Sequence, residues 1–112
     1  MFVAVSEFLN QWLGKNRVAT MAERVAGRSR LGVWQRVHQR LPALGPTEGR
    51  GYIRARAATI IRDETDRLIE QEGSSIAARR SEIEETAMNL LVNSISEQVR
   101  QPRTQTANRR AA

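Results

Sequence analysis

Apolar residues recur at three- and four-residue steps along two stretches that meet at Glu72-Gly73-Ser74-Ser75. In the first stretch, from about Tyr52 to Glu72, they are Ile53, Ala57, Ile60, Ile61 and Leu68. Successive residues of an α-helix turn by about 100°, so these side chains gather on one face. Arg54, Arg62, Asp63, Asp66 and Glu70 point mostly elsewhere. In the second stretch Ile76, Ile83, Ala87 and Leu90 form one stripe, which Met88, Leu91, Val92, Ile95 and Val99 widen. Gly73 can take the left-handed conformation that closes a helix, and Ser74 or Ser75 offers an oxygen to cap the next one. A stop beside a start predicts a sharp reversal. The expectation is a long antiparallel helical hairpin with arms over about 52–72 and 75–99.

Equal rise along both arms puts residues whose numbers sum to roughly 144–148 level with one another. Glu64 lies near the centre of the first arm's apolar face, and this register places it near Arg80. A structural ion pair between Glu64 and Arg80 is therefore expected, with Arg56 and Arg67 as the other candidate partners, because buried charge survives when it is paired. The apolar face of the second arm is wider than one partner helix needs. It is expected to meet either the N-terminal helices or a second copy of the chain, with Leu91, Val92, Ile95 and Val99 as candidate interface residues.

Upstream, Phe2, Val5, Phe8, Leu9, Trp12 and Leu13 share one face of a predicted helix that Gly14 ends. A helix docked on the hairpin accounts for this face. An in-plane membrane anchor at 2–13 is the competing reading, and the lack of a basic residue on the polar face weighs against it. Val18, Met21, Ala22 and Val25 continue the pattern, but beyond Gly27 the stripe jumps around the axis to Val33, Trp34, Val37 and Leu41. A break within Gly27–Gly32 explains the jump, giving two short helices, with one kinked helix over 17–41 as the alternative. Ala26-Gly27, Ser29 and Val33 loosely resemble the turn of helix-turn-helix DNA readers such as the lactose-repressor family, over about twenty residues. Glu23 stands where that pattern prefers a small residue, and Arg28 where it prefers an apolar one.

Leu41 to Pro46 interrupts helix twice with proline, and Thr47 is a candidate cap for the first long arm. After Val99 the pattern ends, and the basic residues from Arg103 onward carry no periodicity, as expected of a disordered tail. The fold class is therefore all-α: a small helical domain over 1–100, with two or three short helices in 1–41, a connector at 42–51 and the hairpin at 52–99, followed by a disordered basic tail at 101–112.

Charge adds a second layer. The chain holds 18 Lys+Arg against 12 Asp+Glu, for a net +6 and a sequence pI near 11.3. Residues 1–50 hold eight basic residues against three acids, residues 51–100 seven against nine, and residues 101–112 three arginines and no acid. Arg28, Arg30, Gln35, Arg36, Gln39 and Arg40 are candidate nucleic-acid contacts, because Arg and Gln reach phosphates and base edges. The competing reading has these arginines pairing with the carboxylates of the first arm. Seventeen of the eighteen basic residues are arginine, a bias that codon composition alone can produce.

Candidate chemistry is sparse. Without cysteine there is no disulfide or thiolate metal site. The lone His38 has no evident Asp or Ser partner, so it reads as an ordinary boundary side chain. Glu64 and Glu84 are the nearest thing to paired carboxylates, but no nucleophile accompanies them. No cofactor, metal or catalytic residue is expected. With no apolar run near the ~20 residues of a membrane span and no signal peptide evident, a cytoplasmic protein is expected. The leading functional expectation is a non-enzymatic helical protein–protein interaction or self-association module, a homo-oligomer or the partner of another protein. The alternative is a small, sequence-tolerant DNA- or RNA-binding protein working through 15–40 and the basic tail.

Overall fold

The structure, a computed structural model, describes the backbone from Phe2 to Arg100 and the side chains from Lys15 to Arg100. It is all-α, with no strand among the described residues. Helix α1 spans Phe2–Val37, a 3₁₀ turn spans Leu41–Ala43, and α2 spans Pro46–Glu72. A single turn, α3 (Ser74–Ala77), leads into α4 (Arg80–Arg100). No described helix is long and apolar enough to cross a membrane. The membrane-anchor reading of 2–13 turns on side chains outside the described set, and the expected tail at 101–112 lies outside the described residues altogether.

The three long helices pack against one another as a bundle. Contacts between α2 and α4 run in opposite order along the two helices: Arg50 with Asn93, Arg54 with Asn89, Asp66 with Arg80. Those between α1 and α2 also oppose, with Arg24 at Glu72 and Arg36 at Tyr52. Helices α1 and α4 run parallel, since Lys15 and Val18 line a surface with Ser81 and Glu82, while Arg30 reaches Ser94 and Gln98.

Helix α1 corrects the expectation of two or three short N-terminal helices. It runs unbroken through Gly14 and through Gly27–Gly32, so no helix-turn-helix turn forms. A helical glycine costs about 1 kcal/mol relative to alanine, which packing along a long helix absorbs. The apparent jump of the apolar stripe came from leaving out Ala26 and Ser29. Ala26 and Ser29 are both buried and join Val25 to Val33, so one stripe runs Val18, Met21–Ala22, Val25–Ala26, Ser29, Val33, Val37. Gly32 sits against α2, where an added Cβ would lie 3.5 Å from Ile60 Cδ1.

Helix α2 starts earlier than its apolar pattern does. Gly45 is its N-cap residue and Pro46 opens the first turn, a position that needs no N–H and suits the fixed φ of proline. Thr47 therefore lies inside the helix and does not cap it. Gly49 is buried, and Leu41 packs close to it.

At the other end Gly73 has φ 97° and its N–H donates to Ile69 O at 2.8 Å, closing α2. Neither serine caps the next turn: Gly73 is also the N-cap of α3, with no side-chain hydrogen bond. The second arm is divided, because a turn at Ala78–Arg79 separates α3 from α4. Within α3, Ile76 is buried in the core.

The core is aliphatic. Ile53, Ala57, Ile61 and Leu68 of α2 meet Ile83, Ala87, Leu91, Val92 and Ile95 of α4 and the α1 stripe. Thr65 takes a fully buried α2 position, its Oγ1 donating to Ile61 O at 2.7 Å. Leu91, Val92 and Ile95 are no more than 1% exposed within the single chain, and Val99 is half-buried. The proposed contact between copies through Leu91, Val92 and Ile95 is thus corrected, because the wide face of α4 is covered by α1. Leu90, placed in the core stripe by its spacing, instead faces out.

Candidate functional site

Ion pairs concentrate at the end of the bundle that holds the α2–α4 reversal. Arg24 pairs with Glu72 at 3.0 Å, Arg67 with Glu64 at 3.0 Å and Arg79 with Glu82 at 3.4 Å. Arg80 binds Asp66 across the reversal and Glu84 one turn on. Hydrogen bonding to Asp66 and then to Glu84 raises the Arg80 pKa further above its ordinary value. A raised pKa stabilises the fold below the ordinary arginine value, so this contribution is complete at neutral pH and fades only in strong base.

The expected Glu64–Arg80 pair is corrected. Arg80 does lie level with this part of α2, but it meets a different face of the helix. Asp66, two residues on, presents its carboxylate to Arg80, and Glu64 turns to Arg67 within its own helix.

The opposite end has a different balance. It is built from the last turns of α1, the Leu41–Gly45 connection, the first turns of α2 and the last turns of α4. Residues 30–56 and 89–100 hold seven arginines, with Glu48 and Glu97 as the only acids. The remaining described side chains, in 15–29 and 57–88, hold eight basic residues against nine acids. Arginines at the basic end meet mostly neutral partners. Arg50 donates to Asn93 Oδ1 at 2.9 Å and Arg54 to Asn89 Oδ1 at 2.6 Å, while Arg54 reaches Glu85 only at 3.9 Å. The Arg56 guanidinium lies 5.3 Å from the centre of the Tyr52 ring, and the Tyr52 hydroxyl donates to Arg36 O at 3.4 Å. An amide or an aromatic face satisfies geometry without cancelling charge, so this end keeps a positive field.

The residues nominated from the sequence divide here. Gln35, Arg36, Gln39 and Arg40 are exposed, and among the described residues neither Arg36 nor Arg40 forms an ion pair. Arg28 is exposed and donates to Gln71 at 3.4 Å. Arg30 does not project: it is half-buried and its guanidinium binds Ser94 and Gln98 of α4. Arg40 lies beyond the end of α1, at the start of the 3₁₀ turn. His38 Nδ1 donates to Trp34 O at 3.0 Å, and the two rings stand 5.6 Å apart. The sequence reading missed Arg50, Arg54, Arg56 and Arg100, which belong to the same end. Their signal in the sequence is the i, i+4 spacing of Arg50 and Arg54, which lie outside the basic segment 15–40.

Beside these arginines lies a small apolar pocket of about 150 Å³ walled by Leu41, Leu44, Ile53 and Val99, with Arg50 and Arg100 also lining it. Set against protein-family models, curated proteins and solved structures, the chain matches none.

Proposed function

We propose that this chain is a helical binding module whose basic end takes a polyanion, with DNA or RNA as the leading candidate. One observation carries the reading: charge is divided along the bundle axis, and at one end Arg50 and Arg54 are held mainly by amides and Arg56 lies over an aromatic ring, with Glu85 the one carboxylate within reach, at 3.9 Å from Arg54. Exposed Arg36, Arg40 and Arg50, with half-buried Arg54, supply at this end the side chains that contact phosphates. The contacts offered are chiefly arginines to phosphates, so the binding we propose is sequence-tolerant. The basic residues at 103–110 extend the proposal on sequence grounds alone.

The test is nucleic-acid binding at low and high salt. Binding should weaken steeply as salt rises, and Arg36→Glu with Arg40→Glu should abolish it while the helical signal persists. No retention of DNA or RNA at low salt, or binding untouched by the double reversal, refutes the proposal.

A further inference from the structure

A groove of about 620 Å³ runs between α1 and α4, lined by Gly27, Arg30, Leu31, Trp34, Ser94 and Glu97 among others. Its α1 wall carries a knob and a notch. Leu31 is 66% exposed, more than any other large apolar side chain described, and Gly27, one turn earlier on the same face, has nothing within 4 Å of where a Cβ would stand. Leu90, at 39%, extends the apolar surface on α4, one turn before Ser94. Scattered exposed leucines are ordinary. A leucine knob four residues from an empty glycine notch, in a groove that also holds one cation and one anion, is a self-complementary surface.

We infer that this groove is an interface for a second copy of the chain, with the two α1 helices crossing antiparallel about a two-fold axis between Gly27 and Leu31. A two-fold contact uses the same patch on both sides, so each residue at i meets the partner at j and the reverse. Four residues make one helical turn, so an antiparallel crossing seats each Leu31 over the partner's Gly27, where the missing Cβ lets the backbones approach. Arg30 is held by two neutral side chains, Ser94 and Gln98, and Glu97 lines the opposite wall. The same rotation offers each Arg30 a carboxylate and each Glu97 a guanidinium. A foreign helix would have to match knob, notch and both charges independently, whereas a second copy does so by symmetry. This inference does not rest on the polyanion reading, and it replaces the buried α4 residues with a different surface.

Sedimentation of the full chain without nucleic acid, from low micromolar to near-millimolar concentration, tests it. The wild type should show a reversible monomer–dimer equilibrium. Gly27→Leu fills the notch at an exposed helical site where leucine is a better helix former than glycine. It should weaken dimerisation at least tenfold while raising the denaturation midpoint of samples dilute enough to be monomeric, a combination that loss of folding cannot produce. Glu97→Arg should weaken it severalfold with no change in helical signal. A wild type that stays monomeric throughout, a dimer that appears only with a polyanion, or a dimer indifferent to both substitutions overturns the inference.

Discussion

Ser29 places a hydroxyl in the middle of α1 where every neighbour on the stripe is apolar. It is fully buried, and its Oγ finds no hydrogen-bond partner among the described residues. A buried polar group left unpaired costs about 1–3 kcal/mol. Ser29→Ala removes the oxygen and keeps the volume nearly constant, so urea denaturation should show a gain of about 1 kcal/mol. Gly73 is constrained in the opposite sense. Its φ of 97° is a conformation that residues with a Cβ rarely adopt. Gly73→Ala should destabilise the protein by about 1–2 kcal/mol, read as a lower urea midpoint with an unchanged slope.

The long helices were legible where large aliphatic side chains mark their buried faces. Ile53, Ala57, Ile61 and Leu68 announced α2, and Ile83 and Ala87, with Leu91, Val92 and Ile95 widening the stripe, announced α4, although Leu90 of that stripe faces out. Helix α1 was harder to read, because small and polar residues complete its stripe at Ala26 and Ser29 and glycines punctuate it. The same difficulty hid Thr65, whose core position on α2 was passed over in favour of adjacent Glu64. Charge pairing was legible only to within about half a turn, since the cross-helix level fixes which residues lie near Arg80 but not which carboxylate turns towards it. Arg80 ties α2 to α4 through Asp66 with both side chains partly solvated. Arg80→Ala should therefore lower stability by about 1 kcal/mol or less, and the difference should shrink as salt screens the pair. A loss that grows with salt would contradict this account.

Across the whole molecule, 59 Å long and 31 by 26 Å in section, arginines paired with carboxylates concentrate at one end and arginines with mostly neutral partners at the other. The prediction is a separation of effects. Charge reversal at Arg36 and Arg40 should leave the denaturation midpoint within about 0.5 kcal/mol of wild type while removing nucleic-acid retention. Charge reversal at Arg80 should do the converse. Measuring both variants in both assays checks it, and a shared loss would show that the two ends are not independent. The basic end was only half legible from the sequence, because its arginines come from three helices and no contiguous stretch contains them.

The parallel pairing of α1 with α4 also bears on how the chain is made. Arg30 waits for Ser94 and Gln98, 64 and 68 residues later. At about 5–20 residues per second of synthesis, that is a delay of roughly 3–14 seconds. Through this interval α2 can cover one flank of the α1 stripe, but the surface that α4 closes stays open to water and to any holdase nearby. A nascent chain halted before Arg80 would carry this open flank indefinitely, so truncated products should be cleared by proteolysis or bound by chaperones while the finished chain escapes both.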